Sequence, residues 1–370
     1  AQGSGGVFST TSGTSWGPKI SELPNDATYG GNTDNEYTQK FGKQQGKYYV
    51  PQRAAAGLDP WATPQAYDNA KDFFDTGITW SNSLNVAQML DKSSYSISLG
   101  NTHQDGIISS TGMDRYNVKV SADTKLTNNW SSGFTANYIT TSIDKAVTSG
   151  NGLLRTVYAA PPSYDLAGIP SHVDGNPYTQ NSFRGSFDNA YWAMENNKFT
   201  EDTNRFFGNV YASYQTDFGT TNHKLNAKYM VGVDAYTTHY VDSYGYGSNT
   251  GGGRGQIENY GWTNATYNSL LTINYDWHIN EDWGLNAVVG NEIIQSNRKK
   301  YYEYGTNYNF PGWNHINNAT TQQTEEETWK NRTVGFFGNV SASYRNMLYL
   351  TLTGRQDYVS NMPRNNRSFF

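Results

Sequence analysis

From Asn204 to Asp217 the chain reads NRFFGNVYASYQTD, with apolar and polar side chains in strict alternation. Phe206, Val210, Ala212 and Tyr214 fall on one face with Gly208, and Asn209, Ser213, Gln215 and Asp217 fall on the other. A period of two specifies a β-strand with one apolar and one polar face. Nearly the same words return at Phe336–Tyr344, FFGNVSASY against FFGNVYASY. One architectural unit is therefore used repeatedly.

Ten alternating segments follow from this reading, at about 77–90, 92–103, 115–126, 129–142, 204–217, 222–240, 266–279, 282–300, 331–345 and 347–358. Their apolar faces are consistent, as in Leu225, Ala227, Tyr229, Val231, Val233 and Ala235, or Leu271, Ile273, Tyr275 and Trp277. The connections alternate in length. Short turns fall at Asp91, Thr127–Asn128, Phe218–Thr221, Asn280–Glu281 and Asn346. Long links fall at about 104–114, 143–203, 241–265 and 301–330. Short on one side and long on the other is the pattern of outer-membrane barrels. A β-sandwich has no reason to sort its loops this way.

The chain is only 36% hydrophobic yet carries 29 Tyr and 10 Trp. A barrel accounts for both figures, because half of each strand faces water and aromatic girdles mark the interfaces. The competing reading is a soluble, secreted β-rich glycan-binding protein without a transport role. A net charge of −5 opposes a phosphate-binding surface, hence nucleic acid. The absence of cysteine removes disulfides and thiolate metal sites. No apolar run reaches the length of a transmembrane helix. No signal peptide is visible at Ala1, so a mature or partial chain is expected.

The fold expected is therefore all-β, a transmembrane antiparallel barrel of which about ten strands are present. Residues 77–370 form the strands and loops, and the Gly-, Asn- and Pro-rich residues 1–76 form an irregular surface segment before them. Trp130, Tyr214, Trp277, Trp283 and Tyr344 lie beside short turns on the apolar parity, as interfacial girdle residues do. Tyr191, Trp192, Tyr260, Trp262 and Trp313 fall on long loops. There they would stack on sugars, anchor a protein partner, or pack against their own loop. The six His have no nucleophile-elbow spacing, so no enzyme is expected, and no metal or cofactor. Glu325–Glu327 reads as a solvated loop run.

Several stretches resemble the SusC/RagA family of TonB-dependent outer-membrane transporters, typical of Bacteroidetes. Ser15-Trp16-Gly17-Pro18 resembles its SWGP segment, and Asp72-Phe73-Phe74-Asp75-Thr76-Gly77 with Asn82-Ser83 its lead into a barrel strand. Tyr95-Ser96-Ile97-Ser98, Gly106-Ile107 and Arg115 resemble a hairpin of the family. Arg205 to Gly208 and Gly354-Arg355-Gln356-Asp357 resemble two further strands. The resemblance implies a section of a larger, 22-stranded barrel in the bacterial outer membrane; no plug domain is read in this sequence. It also implies import of oligosaccharides or peptides, a SusD-like lipoprotein partner, and drive from the TonB system through a plug.

Overall fold

The structure, a computed structural model, describes residues 1–370 except 148–151 and 219–221. Every alternating segment is a strand: β1 Thr79–Met89, β2 Ser93–Asp105, β3 Gly112–Lys125, β4 Trp130–Asp144, β5 Lys198–Phe218, β6 His223–Tyr244, β7 Gln256–His278, β8 Trp283–Tyr308, β9 Ala319–Tyr344 and β10 Leu348–Val359. A short β11, Ser368–Phe369, follows. Each strand pairs antiparallel with its sequence neighbours in one 11-stranded sheet.

One row of paired residues crosses ten strands: Gln88, Tyr95, Ala122, Phe134, Val210, Val231, Ser269, Ile293, Val334 and Tyr358. All lie on the apolar parity, so the apolar faces read from the sequence fall on one side of the sheet. Gln88 stands at the short-turn end of β1, whereas Tyr358 stands at the opposite end of β10. Each strand is thus staggered against the last, as a barrel wall requires.

The short turns are closed by local chemistry. Arg345 and Asn346 both have positive φ, 47° and 53°, and the Met347 N–H donates to the Tyr344 carbonyl at 3.0 Å. Positive φ at both central residues of this turn gives a twist that suits its strands, and Tyr344 pairs with Leu348 just beyond it. The Asn280 side chain accepts from the Asp282 and Trp283 N–H groups, both at 2.9 Å. The turn expected at 218–221 falls largely on 219–221, outside the described residues.

The long connections are shorter than the sequence suggested, because the strands continue. They occupy 106–111, 145–197, 245–255 and 309–318. β8 and β9 run for 26 residues each, whereas a barrel strand crosses the hydrocarbon core in about 9–11. More than half of each lies outside any bilayer. Tyr260 and Trp262 are therefore strand residues of β7, not loop residues, and Glu325–Glu327 lies within β9.

Residues 1–76 fold together with the 145–197 connection. The helices are α1 Glu36–Phe41, α2 Pro51–Ala55, α3 Asn69–Phe73, α4 Leu153–Ala159 and α5 Ala190–Asn196. Phe8, Leu23, Tyr48 and Phe73 share one buried core with Val157, Leu166, Phe183 and Trp192. Polar side chains complete it: Asn69 donates to the carbonyls of Pro161 and Tyr164 and accepts from the Leu166 N–H. The Tyr48 hydroxyl donates to the Ser163 carbonyl at 2.9 Å, and burial raises its pKa well above the ordinary phenol value. Together these residues form a packed cap at the long-connection end.

Candidate functional site

The sheet has two chemically distinct faces. On the apolar face, Trp130 stands opposite Tyr214 with ring centroids 5.0 Å apart, and Trp283 opposite Tyr344 at 4.7 Å. Trp277 stands opposite His223, stacked at 5.5 Å. All five aromatic residues singled out from the sequence lie near the short-turn end and are brought into adjacent pairs. A second aromatic row, which the sequence reading missed, lies further along the same face: Tyr116, Tyr138, Phe206, Tyr267, Phe336 and Tyr358, each 43–53% exposed. Tyr138 and Phe206 are direct cross-strand partners. Aliphatic side chains fill the band between the rows, as in Ala227, Ile273 and Val289 along one line of partners. No second sheet covers this face among the described residues. A sandwich would bury it, so the soluble β-protein reading does not fit this architecture.

The opposite face carries charge. Arg205 on β5 grips Asp234 on β6 through two bonds of 2.8 and 2.6 Å. Arg355 on β10 bonds both Glu292 and Asp357. The Tyr211 hydroxyl donates to Asp123 at 2.6 Å by crossing over β4. Gly133 lies between the two, and a Cβ there would collide with both side chains. Glycine at 133 thus keeps the network continuous from β3 to β5. Charges at these heights are tolerated in a membrane wall only on the side facing water.

Nearer the long-connection end the charged face becomes an aromatic ladder. Tyr240 on β6, Tyr260 on β7 and Tyr302 on β8 form one row of partners between Glu201 and Glu325. Tyr240 and Tyr260 stack at 4.7 Å, and Trp262 meets both edge-on. The Arg298 guanidinium lies 5.2 Å from the Trp262 ring and 5.6 Å from Trp329. The Tyr260 hydroxyl donates to Asp242 at 3.0 Å, and Tyr302 hydrogen-bonds Glu258. Rings backed by carboxylates offer stacking surfaces and hydrogen-bond acceptors side by side.

The loop aromatics divide. Trp192 is fully buried in the cap and donates Nε1–H to the Pro177 carbonyl at 2.8 Å. It is a core residue, with no surface left for a ligand. Tyr191 is half-buried against Phe73 and donates to the Asp72 carbonyl at 3.3 Å. Trp313 remains 45% exposed, in a stack of three rings with Phe310 and His315 on the 309–318 connection. Only Trp313 of the five is an exposed loop aromatic; Tyr260 and Trp262 enter the ladder instead. Among the described residues no group of three or more His, Cys, Asp or Glu side chains could hold a metal ion.

No family model matches the chain. It is similar to TonB-dependent receptor P3 of Formosa agariphila, 24% identical over 323 residues that make up 83% of this chain and 31% of that protein. TonB-dependent receptor P26 of the same organism is 24% identical over 338 residues, again 83% of this chain and 31% of that protein. The chain thus spans under a third of the length of these curated relatives. Among solved structures, the RagAB peptide transporter matches with a TM-score of 0.66 at 17% identity, covering 82% of this chain and 34% of that one. At that identity the likeness speaks for the fold: an antiparallel barrel wall with one apolar face. Together with the relatives, both named TonB-dependent receptors, and the order of the sequence motifs, it supports reading this chain as barrel-region sequence similar to that of the SusC/RagA type of TonB-dependent outer-membrane proteins.

Proposed function

We propose that this stretch forms wall, lumen lining and outer loops of an active importer for oligosaccharides or peptides. The aromatic ladder on the charged face supports this reading most directly. The apolar face meets lipid, with Trp130, Tyr214, Trp277, Trp283 and Tyr344 at one interface and the second aromatic row at the other. The charged face lines the lumen. The long connections and the cap lie outside the cell, where a SusD-like lipoprotein would close over them and Trp313 would meet that partner. Energy would come from the TonB system acting through a plug. Tyr240, Tyr260, Trp262 and Tyr302 then greet substrate at the outer mouth of the lumen, their rings against apolar surfaces and their carboxylate partners toward hydroxyl or amide groups.

The test is purification of the intact transporter from cells grown on complex nutrient, followed by mass spectrometry of co-purifying polymer and protein. A lipoprotein and a bound glycan or peptide support the proposal. A protein that retains neither, and takes up neither in reconstituted vesicles, contradicts it.

A further inference from the structure

On the apolar face of β9 the outward positions from Tyr344 to Val334 are Ala342, Val340, Gly338 and Phe336. This interval matches the roughly 9–11 strand residues that cross a hydrocarbon core. The next two residues on the same face are Arg332 and Lys330, both exposed. Lipid-facing parity therefore changes from hydrocarbon to cation at the height where headgroups begin.

Other basic residues gather at this level. The Ser360 N–H donates to the Arg332 carbonyl and the Val359 N–H to the Arg367 carbonyl, both at 2.8 Å. These bonds tie the connection after β10, which also carries Arg364, to the same height. Between residues 328 and 370 the sole carboxylate is Asp357, and it is held by Arg355 on the opposite face. The partners found for Arg332 and Arg367 are neutral: Gln295 Oε1 and the Met362 carbonyl, each 2.9 Å from an Nε. Among the described residues these cations have no carboxylate in salt-bridge contact, and cations so placed above an apolar band are complementary to phosphate.

We propose that Lys330 and Arg332, with Arg364 at the same height, form a basic collar that holds phosphate-bearing anionic lipid headgroups of the leaflet at the long-connection end. The collar rests on the reading of the apolar face as lipid-facing. Acyl chains lie against Phe336, Val334 and Tyr358, and the phosphates meet the cations above them.

The intact transporter, released from nanodiscs of equal phosphatidylglycerol and phosphatidylcholine, should retain phosphatidylglycerol preferentially in native mass spectrometry. Lys330→Gln with Arg332→Gln should lower that retention by roughly fivefold per cation removed, the equivalent of about 1 kcal/mol for each basic residue near an anionic surface. If the double variant does not assemble, salt serves instead: about 1 M, where the screening length falls to about 3 Å, should release phosphatidylglycerol from the wild type. Retention without preference, or a preference untouched by the substitutions and by salt, overturns the collar. A bimane on Val289→Cys, read in brominated-acyl nanodiscs, separates the two levels. Quenching with a failed collar leaves the lipid-facing surface standing; absence of quenching sinks that reading itself.

Discussion

Tyr240 and Tyr260 face each other across β6 and β7 with ring centroids 4.7 Å apart and planes within 7° of parallel. Lys145 lies 4.6 Å from the Tyr240 ring, and Asp242 accepts from the Tyr260 hydroxyl. The pair is fixed by a cation at one ring and a carboxylate at the other's hydroxyl, so it forms a preorganised surface on the charged face. Preorganisation lowers the ordering cost of binding.

Tyr260→Ala should leave the barrel assembled and cut substrate affinity about tenfold or more, because truncating a central aromatic contact commonly costs about 2 kcal/mol. Tyr260→Phe keeps the ring and loses only the bond to Asp242, so it should cost less. Calorimetry with the co-purified substrate measures both. Equal affinities for all three proteins would remove the ladder from the binding surface.

The cap is latched to the 245–255 connection through Asp188. Its carboxylate accepts from the Ser248 hydroxyl and the Asn249 N–H, both at 2.6 Å, and from Gln180 at 2.8 Å. Asp188 is 5% exposed, so Asp188→Ala strands buried donors at a cost of about 1–3 kcal/mol. Amide exchange across 245–255 should accelerate, while the paired centres of β6 and β7 stay protected. Unchanged exchange in the connection would show that Asp188 does not hold it.

The orientation of the wall can be read with single cysteines, since these 370 residues contain none. Phe310, 50% exposed, lies on a long connection, and Asn128 lies on a short turn. A membrane-impermeant maleimide applied to intact cells should label Phe310→Cys and spare Asn128→Cys. The opposite pattern would invert the topology.

Strands and faces were legible in the sequence where one side meets hydrocarbon and the other water, because only there does a period of two persist. Beyond the second aromatic row both faces meet water. Gln295, Asn297, Lys330 and Arg332 then occupy the outward parity, and the alternation disappears. The upper ends of β5 to β9, most extensively 256–265 and 319–330, consequently read as loop, and Tyr260 and Trp262 with them. The cap was illegible for a different reason. Its order comes from side chains bonding distant backbone, such as Asn69 to the 161–166 segment and Asp188 to Ser248 and Asn249. Such contacts leave no periodic trace. Trp192 could not be told from an exposed loop aromatic, because composition does not reveal which ring of a folded loop is its core.

The account depends above all on which face of the sheet meets lipid. Ile273 lies mid-strand on the apolar face between Ala227 and Val289, and Asn274 lies beside it on the charged face, accepting from Asn286 at 2.8 Å. An arginine at mid-depth on a lipid-facing strand costs about 2–4 kcal/mol. Ile273→Arg should therefore lower the folding free energy in bilayers by that amount, whereas Asn274→Arg, beside Asp276, should change it little. The measurement is urea-dependent folding of the intact protein into lipid vesicles. Normal stability of Ile273→Arg, with loss in Asn274→Arg, would show that the lipid and lumen faces are reversed.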